Sequence, residues 1–128
     1  MKTSVLCIDD DPIFGLVVEK VLTNINDTLD IVAKTSAESA LHYLDSLDKG
    51  FFPSILIMDI NLTKTNAFDL IKEIKRKGYP EFSTYLISSS LFPEDQIRAN
   101  EEDSIKGIFK KPFTAESAHQ ILEENLLV

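Results

Sequence analysis

The segment ILIMDIN (residues 55–61) places an aspartate, Asp59, directly after four apolar residues. A short apolar run of this kind is typical of a strand that is buried on both faces of a parallel sheet. A carboxylate at the end of such a strand costs free energy unless it is ion-paired or hydrogen-bonded. The segment therefore predicts a buried strand whose carboxyl end carries a compensated acidic group.

Similar apolar runs recur along the 128-residue chain and alternate with stretches of helical length. The predicted strands are residues 5–8, 29–35, 54–58, 84–87 and 105–109, and the predicted helices are residues 12–25, 36–47, 66–77, 93–101 and 114–126. This alternation indicates a (βα)5 α/β fold, in which helices cover both faces of a parallel sheet. We expect residues 1–128 to form one domain with no output domain.

Most of the predicted helices begin at a residue that can cap a helix. The expected N-caps are Asp11 (followed by Pro12 at the first helical position), Ser36, Asn66 and Thr114. The fourth helix instead follows Phe92, which is a poor N-cap. We therefore expect the fourth helix to be short and mobile.

The composition excludes several classes of function. The net charge of −8 disfavours nucleic-acid binding, which depends on lysine and arginine contacts to phosphates. No apolar run approaches the roughly 20 residues that a membrane span requires. The single cysteine, Cys7, excludes an internal disulfide and suits a reducing compartment. We expect a cytoplasmic protein without a membrane or nucleic-acid partner.

Charged or hydroxyl-bearing residues follow four of the five predicted strands. These are Asp9, Asp10 and Asp11 after the first strand, Asp59 after the third, Ser88 to Ser90 after the fourth, and Lys110 and Lys111 after the fifth. Each group alone is more often a loop, a helix cap or a turn than a functional site. However, the carboxyl ends of the strands in an open parallel sheet meet at one edge, where ligands bind. The pattern predicts that these groups converge.

The converging groups suggest phosphoryl transfer. Several carboxylates in close proximity repel one another, and a divalent cation would compensate them. Oxygen ligands without histidine or cysteine favour Mg²⁺ over zinc. A lysine ammonium and a serine hydroxyl facing such a site can bind phosphoryl oxygens, and Asp59 would be the nucleophile.

The motifs DDDP (residues 9–12), ILIMDIN (55–61), LISSS (86–90) and FKKPF (109–113) together resemble those of the receiver domain of two-component response regulators. The resemblance spans residues 4 to about 126, and it also includes features of stand-alone receivers similar to chemotaxis regulators. It implies a flavodoxin-like doubly wound fold with a five-stranded sheet in the order 2-1-3-4-5.

The resemblance also implies a role for each site residue. Asp59 would be the phosphoacceptor. The Mg²⁺ ligands would be Asp10, Asp9 (directly or through water), Asp59 and the backbone carbonyl of Asn61. Lys111 would pair with Asp59 and then with a phosphoryl oxygen, while Lys110 would point elsewhere.

Two further roles concern the change that follows phosphorylation. Ser88 takes the place of the switch hydroxyl, and Ser89 that of the small residue beside it. The Lys111–Pro112 peptide would be cis, as in the family.

The sequence departs from the family pattern at two places. Many receivers have proline four residues after the phosphoacceptor and Asp-Gly seven and eight residues after it, where this chain has Thr63, Asn66 and Ala67. Because glycine permits unusual backbone conformations, we expect the loop over residues 61–67 to follow a different path. The switch aromatic is replaced by Ile108, so the usual aromatic rearrangement would be absent or smaller.

The leading hypothesis is a single-domain response regulator that receives a phosphoryl group on Asp59 from a sensor histidine kinase or a histidine phosphotransfer protein. Its signal would leave through the surface formed by residues 91–126 to an unidentified downstream protein target, with the receiver as a monomer or a phosphorylation-dependent dimer. It would catalyse only its own phosphorylation and slow dephosphorylation.

Two alternatives remain open at this point. One is a protein-interaction module that works without phosphorylation. The other is a small phosphatase with an aspartyl-phosphate intermediate, which the asparagine at position 61 disfavours because such enzymes place a second aspartate there.

Overall fold

The computed structural model describes residues 3–127 and contains a central sheet of five parallel strands. The strands are β1 (Ser4–Ile8), β2 (Asp30–Lys34), β3 (Ile55–Asp59), β4 (Ser83–Ser88) and β5 (Ile105–Lys110). They pair in the order β2-β1-β3-β4-β5, and every pairing is parallel. The predicted fold class and strand order are confirmed.

Four α-helices connect the strands, and a fifth follows β5. They are α1 (Pro12–Ile25), α2 (Ala37–Asp45), α3 (Ala67–Lys77), α4 (Pro93–Asn100) and α5 (Ala115–Glu124). The four expected N-caps are confirmed, because each of their side chains accepts a hydrogen bond from a backbone N–H in the first turn of its helix.

Two helices end two residues earlier than predicted. The prediction extended α2 to residue 47, but the hydroxyl of Ser46 donates to the Tyr43 carbonyl and ends the helix there. The prediction extended α5 to residue 126, but the side-chain amide of Asn125 donates to the Ile121 carbonyl and to the Tyr85 hydroxyl. In both cases a polar side chain donates a hydrogen bond to a carbonyl in the last turn of the helix.

The helices divide into two layers. α1 and α5 cover one face of the sheet through residues such as Val18 and Ile121, while α2 and α3 cover the other through residues such as Leu44 and Ile71. The central strands β1 and β3 are almost completely buried between the layers. This burial on both faces explains why their sequences are apolar runs without alternation.

α4 is the most lightly packed of the helices. Among its side chains, all of which lie within the described residues, Ala99 alone is buried. The Arg98 guanidinium lies over the Phe68 ring of α3, at 4.1 Å, and the loop after α4 is joined to α3 by the ion pair between Lys75 and Glu102. The prediction that this helix is short is confirmed at eight residues.

A short antiparallel hairpin, Asn61–Leu62 with Thr65–Asn66, connects β3 to α3. This is the loop that was expected to depart from the family path. Its left-handed residue is Lys64, with φ of 73°, and Asn66 is extended and caps α3, so Ala67 simply begins the helix.

Within residues 3–127 no helix is long and apolar enough to cross a bilayer.

Gly15 lies where α1 packs tightly against β2. A Cβ atom at this position would lie 2.7 Å from the Ala33 Cβ on β2. Alanine normally stabilises a helix by about 1 kcal/mol relative to glycine, but overpacking a core costs about 1–3 kcal/mol. The steric term is expected to exceed the helix propensity at this position.

We therefore predict that Gly15→Ala lowers the free energy of unfolding, by up to about 2 kcal/mol. Ala33→Gly removes the blocking methyl group, so the double variant should lose less than the sum of the two single losses. Gly50→Ala is the matched control, because nothing lies within 4 Å of its added Cβ. Urea denaturation of the four variants measures this coupling, and strictly additive losses would contradict the proposed contact.

Candidate functional site

The predicted site residues lie together at the carboxyl edge of the sheet. Asp9 follows β1, Asp59 ends β3, Ser88 ends β4 and Lys111 follows β5. The edge lies where the strand order reverses, since β1 connects to β2 on one side and β3 lies on the other. This reversal opens the crevice in which ligands bind to doubly wound sheets.

The Lys111 ammonium joins two of the carboxylates. Its Nζ lies 2.8 Å from Asp9 Oδ2 and 2.8 Å from Asp59 Oδ2. The same ammonium stands 4.6 Å from the centre of the Phe14 ring, which attracts it through a cation–π interaction. Two anions and one aromatic face therefore fix the position of the cation.

The backbone holds Lys111 in place. Its N–H donates to the Ser88 carbonyl at 2.8 Å, which links β5 to the end of β4. The Lys111–Pro112 peptide is cis, as the resemblance implies. Lys110 is exposed on the surface.

Asp9 is the most buried carboxylate of the group, with 4% of its surface exposed. This burial raises the pKa of Asp9 above its ordinary value, against hydrogen bonds from the Lys111 ammonium and the Asp11 N–H that favour the ionised form. Burial alone would lower the pKa of Lys111, but its hydrogen bonds with Asp59 and Asp9 outweigh that effect and raise the pKa. Lys111 is thus a charged ammonium at neutral pH.

Asp59 has both carboxylate oxygens engaged. Oδ1 accepts from the Asn61 N–H at 2.9 Å, and Oδ2 accepts from Lys111. Its side chain is 15% exposed, so the carboxylate reaches the surface of the crevice. A short carboxylate with two fixed oxygens at the end of a buried strand has little freedom to turn, which suits a group that must attack along one line.

Asp10 lies in a different environment from Asp9. It is exposed, and its Oδ2 accepts from the Thr63 hydroxyl at 2.6 Å. Asp11 serves chiefly as the N-cap of α1 through its Oδ1, which accepts from the Ile13 N–H at 2.9 Å. The three consecutive aspartates therefore have three separate partners.

Ser88 is buried, with 2% of its surface exposed, and its hydroxyl oxygen accepts from the Ser90 N–H at 3.3 Å.

Ile108 and Phe109 lie on opposite faces of β5. Ile108 packs with the residues of α2 and α3, whereas Phe109 faces α1 and α5 and stacks on Tyr85 at 6.2 Å. The aromatic residue nearest the expected switch position therefore points away from the α4 side of the sheet.

The donor chemistry of the site fits a hard divalent cation. Asp9, Asp10, Asp59 and the Asn61 carbonyl supply oxygens, the ligand type that Mg²⁺ prefers. Within residues 3–127 no three acidic, histidine or cysteine side chains are already gathered around one point. The Lys111 ammonium lies between Asp9 and Asp59, and the Asp10 carboxylate is hydrogen-bonded to Thr63.

Comparison with known proteins identifies the family. A model of the response regulator receiver domain matches residues 5–123. The chain belongs to the response regulator receiver family. The receiver is similar to a solved two-component response regulator from Cytophaga hutchinsonii, with 32% identity, a TM-score of 0.88 and 98% of each chain covered.

Two further likenesses agree with this assignment. A two-component response regulator from Legionella pneumophila shares the fold with a TM-score of 0.83 at 22% identity, covering 99% of this chain and 100% of that chain. The sensory transduction protein LytT of Bacillus subtilis (strain 168) is 26% identical over 120 residues, or 94% of this chain. The chain spans 46% of the length of LytT.

Phe14 and Thr63 contact the site but were not among the predicted site residues. Phe14 follows Asp11 within the first turn of α1, a position that reads in sequence as an ordinary core residue. Thr63 stands at the tip of the hairpin, where only the fold brings it near Asp10. Neither residue carries a sequence signal that points to the site.

We predict that Asp9→Asn raises the stability of the receiver at pH 7. Because the pKa of Asp9 is raised in the folded state, folding favours the neutral carboxyl. The contribution of Asp9 to the free energy of unfolding is therefore complete in acid and is lost as the pH rises through the folded-state pKa. Asparagine resembles the neutral carboxyl, so Asp9→Asn should raise the Tm, by roughly 4 °C for each 1 kcal/mol of stability that it adds.

The difference in Tm should shrink as the pH falls toward 3.8, the ordinary pKa of an aspartate. Thermal unfolding followed by circular dichroism measures it, and Asp30→Asn on the exposed side of β2 is the control. A lower Tm for Asp9→Asn at pH 7 would show that pairing with Lys111 contributes more stability than burial costs.

Proposed function

We propose that this receiver accepts a phosphoryl group on Asp59 from a phosphohistidine of a sensor histidine kinase or a histidine phosphotransfer protein. The observation that carries the proposal is the Lys111 ammonium, which lies 2.8 Å from the carboxylate oxygens of both Asp9 and Asp59 at the carboxyl edge of the sheet. An ammonium beside a fixed carboxylate is suited to bind a phosphoryl group that arrives there.

The nucleophile in this proposal is a carboxylate oxygen of Asp59. It attacks the phosphorus, an O–P bond forms, the P–N bond to the donor imidazole breaks, and the imidazole keeps the electron pair of that bond. The Asn61 N–H on Oδ1 fixes the rotation of the Asp59 carboxylate. Holding the nucleophile in this way reduces the entropy that must be lost on the way to the transition state.

Lys111 and Ser88 would bind the transferred group. The ammonium already contacts Asp59 Oδ2 and would follow the negative charge onto a phosphoryl oxygen. The Ser88 hydroxyl lies at the end of the neighbouring strand, where it can donate to a second phosphoryl oxygen after leaving the Ser90 N–H. Ser88 ends β4 and Lys111 directly follows β5, so both groups are held at the same edge of the sheet.

Mg²⁺, when bound, would neutralise the phosphoryl oxygens and the carboxylates that surround them. Asp9, Asp10, Asp59 and the Asn61 backbone carbonyl would hold it. The buried Asp9 gains most from such a cation, because its ionised form is the one that burial disfavours.

The signal would leave through the surface formed by residues 91–126. Ser88 leads into the loop before α4, which exposes Leu91 and Phe92, with 37% and 59% of their surfaces accessible. Ile97 on α4 is 58% exposed, and α4 itself is lightly packed. A downstream protein or a second phosphorylated copy could cover these side chains, and a relay would instead return the phosphoryl group to another histidine.

The proposed activity is limited to self-phosphorylation and slow self-dephosphorylation. A phosphatase of the aspartyl-phosphate type would need a general acid two residues after the nucleophile. Asn61 occupies that position, and its side chain cannot donate a catalytic proton in the way that a carboxylic acid does.

We predict that acetyl phosphate with Mg²⁺ adds one phosphoryl group to the wild-type receiver and none to Asp59→Asn, as measured by intact mass. EDTA should abolish the adduct. Asp48→Asn is the matched control, because Asp48 is exposed and its side chain makes no capping hydrogen bond. An adduct that persists in Asp59→Asn would contradict the proposed phosphoacceptor.

An absence of the adduct under every metal condition would favour the phosphorylation-independent module or strict dependence on a kinase. Binding of beryllofluoride with Mg²⁺ separates these two readings, since an assembled acidic site is needed to hold it. No binding of beryllofluoride would overturn the phosphoryl-transfer proposal.

A further inference from the structure

The tip of the hairpin over residues 61–66 reaches across the crevice to the loop after β1. There the Thr63 hydroxyl donates to Asp10 Oδ2 at 2.6 Å, a contact between residues 53 positions apart. A hydrogen bond to a charged acceptor is stronger than one between neutral groups. This contact connects the hairpin to the loop that carries Asp9 and Asp10.

The position of Thr63 is determined by the hairpin, which is held at both ends. Asn61 pairs with Asn66 and Leu62 pairs with Thr65, and the Leu62 side chain is buried in the core. The Ala67 N–H donates to the Ile60 carbonyl at 2.8 Å and ties the base of the hairpin together. The Thr63 hydroxyl is thus carried by a short, anchored turn.

The orientation of Asp10 depends on this partner. The Lys111 ammonium contacts Asp9 and Asp59, and the Asp10 carboxylate contacts Thr63 instead. Asp10 is exposed and lies next to the negative Asp9 in the chain, so repulsion and side-chain entropy both favour turning it toward solvent. One hydrogen bond on Oδ2 leaves further lone pairs of the carboxylate able to bind a cation.

We propose that Thr63 is a positioning residue for the divalent cation: its hydroxyl fixes the rotation of the Asp10 carboxylate and thereby sets the affinity for Mg²⁺ in the unphosphorylated receiver. The inference rests on the proposed function, because it needs Asp10 as a Mg²⁺ ligand. Partners that orient the ligands of a metal commonly change its affinity 10- to 100-fold, and an exposed partner belongs at the lower end.

The test is a titration of the ¹⁵N-labelled, unphosphorylated receiver with MgCl₂, followed by amide chemical shifts near Asp10 and Asn61. Thr63→Val keeps the shape of threonine and removes the donor, and it should raise the Kd for Mg²⁺ about tenfold. Thr63→Ser restores the hydroxyl and should keep the Kd within about twofold of the wild type. Thr65→Val is the matched control for a general disturbance of the hairpin.

A second arm asks whether the effect passes through Asp10. In an Asp10→Ala background, Thr63→Val should cause no further loss of affinity, because the group that it orients is gone. An unchanged or lower Kd for Thr63→Val in the wild-type background would overturn the role of Thr63 alone. A wild-type receiver whose amides do not respond to MgCl₂ would overturn the metal site of the proposed function together with it.

Discussion

The Lys111 ammonium lies 2.8 Å from one oxygen of Asp9 and 2.8 Å from one oxygen of Asp59, and the arrangement of the edge depends on that shared cation. Without it, two carboxylates at the ends of adjacent buried strands would face each other in a region of low dielectric. The Phe14 ring beneath the ammonium and the Ser88 carbonyl that accepts from the Lys111 N–H keep the cation in place. The ion pairs connect the ends of β1, β3 and β5, and the backbone hydrogen bond to Ser88 adds the end of β4.

The cost of the site is concentrated on Asp9. Burial raises its pKa, so at neutral pH the folded receiver carries a carboxylate that would be more stable in water. Natural proteins accept such local losses where a functional group must be held in a fixed position. Asp10 and Asp59 are more accessible, and each has a hydrogen bond that restricts its rotation, from Thr63 and Asn61 respectively. The crevice thus combines one buried anion with two oriented ones.

Much of the fold could be predicted from the sequence, because the apolar runs and the capping residues agree with the final structure. Buried strands such as ILIMD require continuous apolar sequence, and Asp11, Ser36, Asn66 and Thr114 cap helices through contacts within a few residues. The ends of α2 and α5 were predicted two residues too late, because the side chains of Ser46 and Asn125 act there through local and tertiary hydrogen bonds. Strand order predicted that Asp9, Asp59, Ser88 and Lys111 lie together. The contacts of Phe14 and Thr63 with the site could not be predicted, because they depend on packing distances that a sequence pattern does not contain.

The most direct test of this account is the titration of the Asp9 carboxyl carbon by ¹³C NMR in the wild type, in Lys111→Met and in Lys110→Met. The two lysines are adjacent in the chain. Lys111 contacts Asp9, whereas Lys110 is exposed. Removing the Lys111 ammonium should raise the pKa of Asp9 further, because its hydrogen bond and charge favour the ionised form. Lys110→Met should leave the titration unchanged. Equal titration curves in all three proteins would contradict the shared cation on which the account rests.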